Sequence, residues 1–208
     1  MRKRIGVLCV FLGIVCMLSS VGFIVYNRWE SKNAEGIAQE FLEDVQSIME
    51  EKQPEQPLTE DAVSLPNAME KLPTEMPTVK VGSYDCIGIL SVPVLNLELP
   101  VLTDWSYTKL KKAPCHYYGS YYEKDFVIAA HNYTSHFGRL SQLQAGDIVI
   151  FTDVYGAAHY YEVALLETLP KEATLEMIAS GFALSLYTCT PGGANRVTVR
   201  CNAVAHSD

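Results

Sequence analysis

From Ile5 to Tyr26 the chain reads IGVLCVFLGIVCMLSSVGFIVY, 22 residues without a charge. A run of that length crosses a bilayer as a helix, and it lacks the small-residue cleavage site that a removable signal peptide would carry. Beyond it the pattern changes. Ile37, Phe41, Val45 and Ile48/Met49 recur at helical spacing, which fits either a short amphipathic helix above the membrane or a solvated stalk with incidental helix. Gln53 to Thr78 carries Pro54, Pro57, Pro66, Pro73 and Pro77 among acidic residues; such a composition cannot bury a core and predicts an extended linker. From Val79 onward the texture is short β-rich runs separated by turn signals.

Five stretches read as strand-bearing: DCIGILSVPVLNLELPVL, DFVIAAHN, GDIVIFTDVYGAAHYYEVALLETL, FALSLYTCT and NRVTVRCNAVA. Their Val, Ile, Leu, Tyr and Thr content and partial alternation carry the signal. Short helices are expected at Ser106 to Lys112 and Lys171 to Ser180. The economical architecture is a mainly β fold, a closed β-barrel with a few short helices, because closure removes exposed strand edges. The expected organisation is a cytoplasmic tail (1–4), a transmembrane helix (5–26), an acidic Pro-rich stalk (27–79) and a folded domain (80–208).

Charge adds an orientation. Arg2, Lys3 and Arg4 precede the apolar run, so the positive-inside rule places the N-terminus in the cytoplasm and the folded domain outside the cell. The net charge of −8 divides into about +4 over residues 1–32, about −9 over 33–79 and about −3 over 80–208. No block is basic enough for nucleic-acid binding.

Of the six cysteines, Cys9 and Cys16 lie in the apolar run, leaving Cys86, Cys115, Cys189 and Cys201. Four thiols could form two disulfides in an oxidising compartment, yet their spacing is irregular. No C-x-x-C or H-x-x-x-H pair suggests zinc, and no metal or cofactor is expected. Cys189 differs in context, since SLYTCTPGGANRVTVR places it in an abrupt break between two apolar runs. A nucleophilic thiol needs a base or a cation nearby, and acyl transfer needs donors for the developing oxyanion. His131, at the end of the apolar run FVIAA, and Arg196, seven residues after Cys189, are the candidates. Alternation along RVTVR puts Arg196, Thr198 and Arg200 on one face and Val197, Val199 and Cys201 on the other. With the apolar set inward, both arginines are expected to face a surface groove, and Cys201 to be a small core residue.

The segments IGILSVPVLNLELPV, APCHYYGS, VIAAHN, FGRLSQLQAGD and LYTCTPGGANRVTV occur in an order that resembles the sortases, membrane-anchored cysteine transpeptidases of Gram-positive bacteria. The resemblance covers most of residues 85–205. It implies that Cys189 attacks the threonine carbonyl of a Leu-Pro-x-Thr-Gly-type sorting signal and forms a thioacyl intermediate. His131 would exchange protons with the leaving and incoming amines, and Arg196 would stabilise the oxyanion. Thr188, Ala130, Asn132 and Arg200 would contact substrate. The implied partners are proteins bearing a C-terminal sorting signal, an amine acceptor from a peptidoglycan precursor or a pilin, and the membrane through residues 5–26. Ala130 stands where the family's sorting members usually have glycine, and Asn132 is similar to the class B pattern. No Asp-Pro-aromatic lid and no second apolar span occur, which leans toward a housekeeping or specialised anchor over a pilus polymerase. A peptidase using water as acceptor, and a non-catalytic binding barrel, are the other function classes.

His116, His136, His159 and His206 read as rim or surface residues, and Asp125, Asp147 and Asp153 as turn residues. YYGSYY fits a groove lining or a barrel edge equally.

Overall fold

The computed structural model describes residues 2–52 and 75–205. The Pro-rich linker expected at 53–78 therefore lies mostly outside the described residues, as does His206. A single helix, α1 (Arg2–Lys52), opens the chain. It is the one described helix long and apolar enough to cross a membrane.

The strands that follow are β1 (Val79–Val81), β2 (Tyr84–Val92), β3 (Leu97–Leu102), β4 (Cys115–Tyr118), β5 (Phe126–Ala129), β6 (Ile148–Asp153), β7 (Ala158–Pro170), β8 (Leu184–Cys189) and β9 (Asn195–Ala203). Two short helices intervene, α2 (Tyr107–Leu110) and α3 (Thr174–Ile178). The strand order is β1-β2-β3-β4-β5-β8-β9-β7-β6, and β6 pairs back onto β2, so all strands but β1 form a closed ring. The mainly β, closed-barrel expectation is met. Strand β4 was absent from the expected strands: only four residues long, with His116 and two tyrosines half-buried or exposed, it carries no run of apolar residues to announce it.

The β5–β8 pairing positions the site. These strands are parallel, with Phe126 to Ala129 opposite Leu184 to Tyr187. Val127, Ile128, Ala129, Leu184, Ser185 and Leu186 are all buried, as expected where a parallel pair is covered on both faces. Parallel strands bring their C-terminal ends to the same rim. Residues just beyond Ala129 and at the end of β8 therefore emerge side by side, although they are some 60 positions apart in the chain. Strand β9 then returns antiparallel along β8, placing Arg196 directly opposite Cys189.

The second half of α1 does not stand clear of the folded domain. Ala34, Ala38, Val45 and Met49 are buried, and Phe41, Leu42 and Ile48 pack partly against Val79, Val81, Cys86 and Ile89 of β1 and β2. Phe41 meets Tyr84 edge-on at 5.4 Å between ring centroids. The helical stripe visible in the sequence thus has a partner, the outer face of the first strands, and burying it there removes apolar surface from water.

Candidate active site

Two residues beyond Ala129 stands His131, and the register is carried through the step between. Ala130 N–H donates to the Tyr187 carbonyl at 3.2 Å, and Thr188 Oγ1 donates to the Ala130 carbonyl at 2.9 Å. Continuing the same step aligns His131 with Cys189. The Pro-Gly-Gly break after Cys189 is the turn of the β8–β9 hairpin: Gly193 N–H donates to the Thr190 carbonyl at 2.8 Å, and Gly192 and Gly193 take φ of 83° and 76°. Only glycine adopts such angles freely.

Cys189 and Arg196 open onto a groove of about 140 Å³. Its floor is Ala129, Ala130 and Tyr187; Trp105, Tyr107 and Tyr117 form one wall, and the β7–β8 connection, from Pro170 to Met177, forms the other. The Tyr117 ring meets Tyr187 edge-on at 5.3 Å. The Arg196 guanidinium donates to the carbonyls of Gly193 and Asn195 at 3.0 and 3.1 Å, so the hairpin turn itself holds it. The other cysteines of the domain are chemically quiet. Burial pushes the thiols of Cys86, Cys115 and Cys201 up to about 12, whereas Cys189 is partly open to the groove. The described cysteines, Cys16, Cys86, Cys115, Cys189 and Cys201, are all free thiols.

His131 is half-buried, its ring stacked on Tyr133 with centroids 3.9 Å apart and planes 17° from parallel. Its Nδ1 is buried without a hydrogen-bond partner. Burial pulls its pKa below the ordinary imidazole value, and the Glu30 carboxylate of α1 opposes that pull. The loop that carries it is tight. Phe137 N–H donates to the His131 carbonyl at 3.1 Å and Gly138 N–H to the Tyr133 carbonyl at 2.8 Å. A Cβ on Gly138 would sit 2.5 Å from the Asn132 oxygen and 2.7 Å from that of Tyr133, so the chain closes here only on glycine.

The remaining site expectations divide. Ala130 lines the groove. Asn132 faces the other way, into a cleft bounded by Phe23, Asn27 and Arg28 of α1 and by Pro191 and Gly192 of the hairpin. Thr188 is buried, its hydroxyl committed to Ala130; it ties β8 to the strand end that leads to His131. Arg200 needs correction. It shares the Arg196 face but is only 2% exposed. It donates to Glu167 Oε1 at 2.7 Å, to Ser185 Oγ at 2.8 Å and to the carbonyls of Glu176 and Met177 at 2.6 and 3.2 Å. Helix α3 roofs this end of the face, and Arg200 satisfies that helix's last carbonyls from below.

His136 also departs from expectation. It is completely buried rather than at the rim, neither ring nitrogen has a hydrogen-bond partner, and burial lowers its pKa to about 4. His116 bridges the carbonyls of Thr103 and Gly119 at 3.0 and 2.8 Å. Asp125, at φ 61°, accepts from the backbone of Ser180 and Gly181 at 2.7 and 2.8 Å and so clamps the chain after α3 to the start of β5. Asp147 and Asp153 accept from backbone amides of their own turns. YYGSYY serves both of its readings: Tyr117 lines the groove, while Tyr121 is buried against Phe126 and Phe151. The aromatic wall and Glu30 were not foreseen. Trp105 and Tyr107 left a trace as large aromatics in a polar segment, but Glu30 left none.

The family model described as Sortase domain matches residues 90–205, more than half of the chain. The chain belongs to the sortase family. Solved sortases share its fold. Sortase A from Corynebacterium diphtheriae superposes with a TM-score of 0.54 at 22% identity, over 60% of this chain and 63% of that one, less than two thirds of its length. Sortase C1 from Streptococcus agalactiae matches with a TM-score of 0.52 at 25% identity, over 59% of this sortase and 69% of that chain. A sortase D5 transpeptidase from Clostridium perfringens matches with a TM-score of 0.52 at 18% identity, over 58% and 80%. No curated protein matches this sortase.

Proposed function

We propose that this sortase is a membrane-anchored cysteine transpeptidase that cleaves a sorting signal of the Leu-Pro-x-Thr-Gly type and joins the freed carboxyl end to an amine of the cell wall. The observation that carries the reading is the meeting of Cys189, Arg196 and the His131 strand end at one barrel rim, on a groove with aromatic walls. A peptide lying in that groove would present its threonine carbonyl to Cys189 Sγ.

The thiolate adds to the carbonyl carbon, and the electrons move onto oxygen. Arg196 supplies the opposing charge to that oxygen: the Gly193 and Asn195 carbonyls hold Nη1, and the guanidinium carries further N–H donors on Nε and Nη2. Collapse breaks the Thr–Gly bond while His131, as imidazolium, gives its proton to the departing glycine amine. The incoming amine then loses a proton to His131 and attacks the thioester, releasing Cys189 as thiolate and leaving a new amide. The cycle begins and ends with the same protonation states. Thr188 and Ala130 act by holding the two strand ends in register, and Asn132 borders the cleft on the α1 side. The apolar part of α1 would anchor the chain in the membrane of a Gram-positive cell, its N-terminus cytoplasmic and the barrel outside.

Mass spectrometry of the full chain, wild type and Cys189→Ala, with a panel of sorting-type peptides and a glycine-peptide amine tests this. A thioacyl adduct on Cys189 and a ligated product, both lost in the variant, are expected. Free acid in place of ligated product, with the amine in excess, would make the protein a peptidase.

A further inference from the structure

The loop from His131 to Gly138 reads HNYTSHFG, and its rings fold onto one another. Tyr133 is only 5% exposed, although its sequence neighbours are polar. Its carbonyl accepts from His136 N–H at 3.0 Å and from Gly138 N–H at 2.8 Å. Its ring meets that of the fully buried His136 edge-on, with centroids 5.5 Å apart and planes at 60°. From outside, α1 backs the same loop, where Ser135 Oγ donates to the Ser31 carbonyl at 3.1 Å. Backbone and ring of Tyr133 are therefore both fixed, and what they present is a flat aromatic face. The His131 imidazole lies on that face, its centroid 3.9 Å from that of Tyr133 and its plane 17° from parallel.

We propose that Tyr133 is a positioning residue for His131: its ring fixes the plane of the imidazole at the barrel rim and supports the imidazolium form through its electron-rich face. The inference rests on the reading of His131 as the acid and base of a transpeptidase. A base in nucleophilic catalysis is oriented by a third group, and for histidine that group ordinarily holds one ring nitrogen. Among the described residues, Nδ1 of His131 has no such partner. The stack on Tyr133 is the contact that orients the ring instead. It also bears on charge. A cation within about 6 Å of an aromatic centroid is drawn to the ring face, and more strongly where water is excluded. His131 is half-buried, and burial alone disfavours its charged form. The Tyr133 face offsets part of that cost in the one protonation state that a departing amine requires. The charged or titratable groups facing the stacked pair are Tyr26, Arg28 and Glu30 of α1, Lys111 beyond α2, His136 of the same loop, and Cys189 and Arg196 at the ends of β8 and β9. Among the described residues, Tyr133 is the one aromatic ring in contact with the imidazole.

The test uses the full chain in nanodiscs. The ring protons of His131 are followed and titrated by NMR, assigned by their loss in His131→Asn, and kcat and KM are measured with a sorting peptide. In the wild type these protons should lie upfield of those of an exposed histidine, because the Tyr133 ring current shields whatever sits over its face. Tyr133→Leu fills much of the space without a face. It should abolish the upfield displacement and lower the His131 midpoint by about half to one pH unit. It should also reduce kcat near neutrality by about tenfold, with KM little changed. Tyr133→Phe, which restores the face, should recover most of that loss. A purely structural role predicts the opposite sign, since a loosened loop admits water to His131 and its midpoint then rises toward the ordinary value. A rise or an unmoved midpoint in Tyr133→Leu, or Tyr133→Phe as slow as Tyr133→Leu, would overturn the proposal. Should Tyr133→Leu fail to fold, the wild-type spectrum and Tyr133→Phe still decide: ring protons at ordinary positions, or a midpoint that falls when the hydroxyl alone is removed, would overturn it. Wild-type protein that turns over no peptide would count against the function reading, while the ring shifts and the titration would still judge Tyr133.

Discussion

His136 makes the stability of this protein respond to acid, and the size of the response follows from its burial. The residue is 0% exposed, and its pKa falls from 6.5 to about 4 because the charged ring cannot be solvated where it sits. Between those two values the unfolded chain binds a proton that the folded chain refuses, so stability falls as pH falls through that window. With one pH unit worth about 1.4 kcal/mol, the loss from this group is about 2 kcal/mol on going from pH 7 to 5 and about 3 kcal/mol by pH 4. The perturbation that isolates it is His136→Phe, which keeps an aromatic ring and removes the proton site. Urea unfolding of both proteins, followed by Trp29 and Trp105 fluorescence at half-unit steps from pH 4 to 7, gives the difference directly. Carrying His131→Asn in both proteins removes the neighbouring imidazole, whose charge also disfavours that of His136, and groups that do not touch His136 titrate equally in both and cancel. The wild-type curve should fall away from the variant's by those amounts toward pH 4. A gap between the curves that stays constant across the range would refute the reasoning, because it would mean that His136 is protonated within the folded state.

Arg200→Met should lower stability by about 3 to 5 kcal/mol, since it strands Glu167, Ser185 and the carbonyls of α3; thermal unfolding reads this, and a stable but inactive variant would return Arg200 to the groove. Arg196→Ala should do the reverse, leaving the melting temperature within a few degrees and lowering kcat by about a hundredfold or more, measured as rate of peptide cleavage. Gly138→Ala should disturb the His131 loop, because the added methyl would meet two carbonyl oxygens; hydrogen exchange at Phe137 and Gly138 should quicken, and unchanged protection would show that the loop yields cheaply. Thr188→Val should cost about 1 kcal/mol from the lost bond to Ala130, visible in denaturant midpoint, with KM for the sorting peptide unaffected.

Local sequence was enough for whatever depends on a residue's immediate neighbours. The uncharged run from Ile5 to Tyr26, the β texture beyond Val79, the two short helices and the exceptional context of Cys189 were all legible, because spacing and turn chemistry act over a few residues. Alternation along β9 even assigned Arg196 and Arg200 correctly to one face. What alternation cannot say is what lies over that face, and α3 covers one end of it while leaving the other open. The tertiary structure alone decided that Arg200 is a buried strut and Arg196 a groove residue. The same limit hid His136, whose burial is a matter of what packs over it and not of its own polar sequence. It hid Glu30 as well, since nothing within a helix reports which distant loop will come to rest against it. His131 and Cys189 could be nominated by residue type, but their meeting at one rim required the parallel pairing of β5 with β8. That pairing is a long-range choice made by the closed barrel, not by either strand.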